Sequence, residues 1–135
     1  EVLQYPQLFE DIPEEYDIAG HHLNHDTWYR NGSHQRELLS GTIFLRINNK
    51  VKQIVKEWYD NAIENAEWEQ KTLDKILKRH KEINFYELPL SYIYIKTLPN
   101  GLEPFVKIKE PFIVHNQVSR KLRKWIQMQK YNIKK

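Results

Sequence analysis

Leu38-Leu39-Ser40-Gly41-Thr42-Ile43-Phe44-Leu45-Arg46-Ile47-Asn48-Asn49 is the stretch on which the fold of this chain turns. From Thr42 to Ile47 it is nearly continuously apolar and rich in β-branched and aromatic side chains, which suits a largely buried strand. Asn48 and Asn49 follow, and an asparagine oxygen caps a helix by accepting one of the first free backbone N–H groups. Beyond them Val51, Ile54, Val55, Trp58, Ala62 and Ile63 recur at three- and four-residue spacing, the period of a helix with one apolar face. A second amphipathic segment carries Trp68, Thr72, Leu73, Ile76 and Leu77 on one side. Both helices are expected to pack on the strand.

Residues 1–15 place Pro6, Pro13 and two acidic pairs around Leu8, Phe9 and Ile12, which reads as an irregular opening segment or one short helical turn. Tyr16 to His22 reads as a short strand that stops in a loop at Gly20. Leu23 to Gln35 is mostly polar and contains the turn signal Asn31-Gly32-Ser33. Ile83–Leu88 and Ser91–Ile95 flank Pro89 as two short strands, or as one strand and an edge segment. Pro99-Asn100-Gly101 is a turn, Phe112-Ile113-Val114 a final strand, and residues 118–135 a basic terminal helix and tail. Strands separated by helical patterns give the expected class: α/β, a small mixed sheet with helices packed on one face.

At 135 residues the chain has room for one domain, 1–135. Its 40% apolar and 13% aromatic content argues for a packed core, and 29% charge for solubility. A net charge of +3 permits anionic ligands without making nucleic acid the expected partner. There is no cysteine, so neither a disulfide framework nor a thiolate metal site is available. No apolar run approaches the ~20 residues of a membrane span, and no signal-peptide pattern opens the chain. The expected location is cytoplasmic. The chain begins at Glu1 rather than at methionine, as a piece of something longer would.

Pro111 to Lys124 runs from a short apolar strand through His115 into Arg120, Lys121, Arg123 and Lys124. Such a segment is suited to an anionic ligand such as a diphosphate. Helix geometry allows only two or three of these cations to converge, and Arg120 and Lys121 lie nearest His115. His21, His22 and His25 raise the question of a transition-metal site. Adjacent side chains of an extended segment point to opposite faces, so His21 and His22 do not share one ion. Trp58, Trp68 and Trp125 sit at core-facing helix positions, which leaves Trp28 and Tyr29, in the polar loop, as candidates for ligand contact.

Taken in order, Asp17-Ile18-Ala19, Glu37-Leu38-Leu39-Ser40-Gly41-Thr42-Ile43-Phe44-Leu45, Trp58, Trp68-Glu69-Gln70-Lys71-Thr72-Leu73, Leu88-Pro89-Leu90-Ser91-Tyr92 and Ile113-Val114-His115 resemble the C-terminal half of a nucleotide-diphospho-sugar transferase with the GT-A fold. The resemblance covers most of residues 5 to 125. The chain departs from such enzymes in lacking the nucleotide-binding half and its Asp-x-Asp metal motif, and no Asp-x-Asp occurs in it.

The resemblance implies a partial glycosyltransferase domain, inactive by itself, whose parent moves a sugar from a nucleotide-diphosphate donor to an unknown acceptor. It implies His115 as a ligand of a divalent metal, Mn or Mg, with Arg120 and Lys121 on the phosphates, since fixed positive charge stabilises a diphosphate leaving group. Otherwise His115 is a strand-end histidine satisfied by a backbone hydrogen bond. Ser40, Gly41 and Thr42 line the sugar site, or form a simple strand start. Gln70 joins the substrate site, and Asp17 and His21 stand at its rim. Glu69 binds hydroxyl groups or acts as the base of an inverting reaction, or else only complements a helix N-terminus. The other reading is a non-catalytic module that binds an anionic ligand or a protein. A small sheet with an open edge also suggests self-association as a homo-oligomer.

Overall fold

The computed structural model describes residues 1–65, 68–98 and 102–116. In chain order the elements are α1 (Leu8–Asp11), β1 (Ile18–Asn24), α2 (His25–Tyr29), β2 (Arg36–Leu45), α3 (Asn49–Asn65), α4 (Glu69–Arg79), β3 (Phe85–Glu87), a 3-10 turn at Leu90–Tyr92, β4 (Tyr94–Ile95) and β5 (Val114–His115). A three-stranded sheet runs β2-β1-β3, with β1 antiparallel to β2 and parallel to β3. β4 and β5 form a separate parallel pair. The mixed α/β architecture is the one expected. The basic helix assigned to 118–130 and the Pro99–Gly101 turn lie outside the described residues.

The two faces of the sheet are covered differently. On one, Ile18 and Leu38 pack against Val51 and Ile54 of α3 and Leu73 and Ile76 of α4, all buried. On the other, Ala19 meets Ile12, Leu88, Tyr92 and Ile113, and Leu23 and Leu39 meet Trp28, Ile93, Tyr94, Ile95 and Val114. Each large apolar side chain so buried contributes about 1.5–3 kcal/mol before conformational entropy is charged. α3 starts where the asparagines said it would: Asn48 Oδ1 accepts from Val51 N at 2.9 Å.

Several expectations need correction. β1 does not stop at Gly20 but continues to Asn24, because His21 to Asn24 pair with Leu39 to Arg36 of β2, while at Gly20 a Cβ would stand 3.1 Å from the Phe85 ring of β3. The polar stretch after it is not all loop, since Asn24 Oδ1 accepts from Thr27 N and starts α2. Trp28, on that helix, is 1% exposed and belongs to the core, so it is not a surface contact for a ligand. Trp68 is not on the packed face of α4 but is 67% exposed, because it is the non-helical residue before the first turn. On α3, Val55 and Ile63 are likewise exposed while Val51 and Ile54 are buried and Trp58 is packed against them.

α3 and α4 are clasped at one end by His80, whose Nε2 lies 2.7 Å from Glu57 Oε2 and whose Nδ1 lies 2.7 Å from Glu82 Oε1. Glu57 also pairs with Arg79. Hydrogen bonds to Glu82 and then Glu57 hold the imidazolium and raise the His80 pKa above the usual histidine value. A raised folded-state pKa stabilises the fold fully below the unfolded value, about 6.5, and that contribution is lost as pH rises through the folded value. An NMR titration is expected to place the His80 midpoint above that of a histidine in the unfolded chain. An equal or lower midpoint would show that the clasp is not formed.

Candidate functional site

Pairing between β1 and β2 is regular at Ile18↔Leu45 and Ala19↔Phe44, and again from His21↔Leu39 to Asn24↔Arg36. Between these two blocks, Ser40, Gly41, Thr42 and Ile43 of β2 stand opposite the single residue Gly20. Excess residues on one strand must leave the ladder, so this segment bulges away from β1 and re-aims its side chains. The Ser40-Gly41-Thr42 motif is that bulge.

His115, at the end of β5, meets it. The imidazole Nε2 is 2.9 Å from Thr42 Oγ1. The ring lies directly on Gly41, where a Cβ would come within 2.7 Å of Cε1 and 3.0 Å of Nδ1. Glycine is needed here for close approach rather than for an unusual backbone angle. His115 is half-buried, and burial is the main cause that pushes its pKa below the usual histidine range, so the ring is neutral at neutral pH. A neutral imidazole has one donor and one acceptor nitrogen, and the Thr42 hydroxyl can serve either. His115 therefore has a side-chain partner, while its backbone carbonyl accepts from Lys96 N at 3.1 Å.

Gln70, in the first turn of α4, supports the bulge from the other side. Its Oε1 accepts from Ser40 N at 3.2 Å, and its Nε2 donates to Glu37 Oε1 at 2.5 Å. The second Glu37 oxygen lies 3.2 Å from His25 Nε2. Ser40, Gly41, Thr42, Gln70 and His115 are thus brought together by contacts that span 30 and 73 residues of sequence. Glu69 precedes Gln70 with its side chain exposed, and its backbone carbonyl accepts from Trp58 Nε1 at 2.7 Å.

The remaining sites of the sequence reading lie elsewhere. Asp17 is 4% exposed, and its carboxylate accepts from Lys50 Nζ at 2.7 Å, Asn48 Nδ2 at 2.8 Å and Asn84 N at 3.0 Å. Burial by itself would raise its pKa, but these hydrogen bonds and the Lys50 charge outweigh it and the value is lowered. His21 pairs across the sheet with Leu39, one residue from the bulge, and donates from Nδ1 to Leu88 O at 2.8 Å. His22 instead holds Glu87, through Nδ1 at 2.8 Å. Among the described residues neither Asp17 nor His21 shares a partner with the Ser40–His115 group. Among the described residues no three His, Cys, Asp or Glu side chains gather as a metal site. Arg120 and Lys121 lie outside the described residues.

Glu37 and His25 are members of the group that sequence reasoning did not assign. Their only signal was the position of Glu37 three residues before Ser40 within one motif.

The arrangement defines an α/β domain with a bulged edge strand, β2, whose small residues converge with a helix-borne amide and a histidine from distant parts of the chain. A family model of nucleotide-diphospho-sugar transferases matches residues 6–128, and the chain belongs to that family. No curated protein and no solved structure matches it. The family implies a nucleotide-sugar donor. No helix among the described residues is long and apolar enough to cross a membrane.

Proposed function

We propose that the chain is a glycosyltransferase domain of the GT-A kind in which the Ser40–Thr42 bulge, Gln70 and His115 form one wall of the donor site. The observation that carries this reading is the seating of the His115 ring on Gly41 with its Nε2 on the Thr42 hydroxyl. The bulge offers backbone and small side chains to a sugar, and the Gln70 amide and Ser40 hydroxyl are the polar groups for its hydroxyls. In the transfer, the bond between the anomeric carbon and the diphosphate oxygen breaks, a bond to the acceptor oxygen forms, and the acceptor proton passes to a base. Glu69, exposed next to Gln70, is the candidate for that base.

Arg120 and Lys121 are assigned to the diphosphate, where arginine offers a planar fork and lysine a point charge. A divalent ion, Mn or Mg, would neutralise the leaving diphosphate when bound. Among the described residues no three His, Cys, Asp or Glu side chains gather around His115, so they do not make a metal site by themselves. With no Asp-x-Asp in the 135 residues, we assign His115 as one ligand and expect activity to require acidic ligands from another source.

Calorimetry with manganese and a panel of uridine and guanosine diphosphate sugars tests the reading. Heat is expected for at least one donor, and His115→Ala should weaken that binding about tenfold or more, a change of about 1.4 kcal/mol. Arg120→Ala combined with Lys121→Ala should also weaken it. Silence toward every donor, or full affinity in the His115 variant, would sink the proposal.

A further inference from the structure

Behind the bulge, the polar atoms have matched polarities. A backbone N–H only donates and a carboxylate only accepts, so Ser40 N and Glu37 fix which end of the Gln70 amide faces each. Flipping the amide would set N–H against N–H and oxygen against carboxylate. Glu37 and Ser40 stand on either side of Leu39, the last residue of β2 paired with β1 before the bulge. Gln70 therefore ties the regular part of the strand to the first bulged residue. The next two residues, Gly41 and Thr42, hold His115. The second Gln70 N–H has no protein partner among the described residues, and the first bond fixes its direction.

We infer that Glu37, backed by His25, is a positioning residue of the donor site: it fixes the Gln70 amide, which holds the bulge under His115 and presents its remaining N–H to a hydroxyl of the donor sugar. The sugar contact rests on the donor-site reading above. The positioning of His115 stands on the hydrogen-bond chain alone.

A polarity swap tests it. Gln70→Glu brings two carboxylates to the spacing of a hydrogen bond, so the bridge should open and the His115 imidazole NMR signals should move. Adding Glu37→Gln restores every polarity: the new amide donates to the new carboxylate, which still accepts from Ser40 N, while the amide oxygen accepts from His25. The double variant should return the His115 signals to their wild-type positions. It should still bind the best uridine or guanosine diphosphate sugar about tenfold or more weakly, because the free N–H is gone. If Gln70→Glu fails to fold, recovery of fold and signals in the double variant supports the bridge equally. Undisturbed His115 signals in the single variant, or signals as displaced in the double variant as in the single, would overturn the positioning role. Wild-type affinity in the double variant would overturn the sugar contact. A wild-type protein silent toward every donor overturns the donor-site reading, and the His115 signals still decide the positioning.

Discussion

Gly41→Ala is expected to abolish detectable donor binding and to destabilise the fold by about 1–3 kcal/mol, the cost of forcing extra volume into a packed contact. The added Cβ would stand 2.7 Å from His115 Cε1 and 3.0 Å from Nδ1, inside van der Waals contact. Those are ring atoms, with no flexible tip to swing aside. Either the imidazole leaves, breaking its 2.9 Å bond to Thr42, or the bulge withdraws. The backbone at Gly41 lies outside the left-handed region, in contrast to Gly32 at φ 70, so the penalty is contact and not strain. That origin is checkable in a double-mutant cycle, because neighbours that clash do not add. With His115→Ala already in place, Gly41→Ala should cost close to nothing in stability. A full cost in that background, read by urea denaturation, would locate the clash elsewhere.

How far the sequence could be read depended on the range over which each feature is encoded. The start of α3 was legible because the Asn48 cap forms as expected, but β2 ends at Leu45, short of the Ile47 end read from the apolar run, and Ile47 is 89% exposed. The helices on the sheet were legible because Val51, Ile54, Leu73 and Ile76 repeat with a helical period. Trp28 was not, since a five-residue helix among polar neighbours is too short to show a period, and its burial depends on β4 and β5 far along the chain. The bulge was invisible for another reason: an apolar run reads the same whether the strand is straight or displaced, and only pairing with β1 shows four residues opposite one. The motif around Ser40 and the strand-end histidine pointed to the same site by resemblance. Glu37 and His25 did not, because a bridge from Glu37 to Gln70 joins residues 33 apart and depends on how α4 docks.

Asp17 shows the converse, a motif residue whose carboxylate is committed to the fold. All three of its side-chain partners are donors: Lys50 Nζ and Asn84 N on Oδ2, Asn48 Nδ2 on Oδ1. They join β1 to the cap of α3 and to the segment entering β3. Asp17→Ala is expected to destabilise the protein by about 3 kcal/mol, since it strands partly buried donors, although Lys50, nearly half exposed, can turn to water. Asp17→Asn should be almost as costly, because an amide has one acceptor and would point its own N–H groups at a donor. The sign of the pH dependence follows from the lowered pKa. The stabilisation is present above the unfolded aspartate value, about 3.9, and is lost as pH falls through the folded value. Urea denaturation across the acid range should therefore show a steeper loss in the wild type than in either variant, the curves converging at the lowest pH. Donor affinity, measured where the variants remain folded, should be unchanged, because Asp17 shares no partner with the His115 group among the described residues. Full stability with lost donor affinity would reverse the assignment and return Asp17 to the rim of the sugar site.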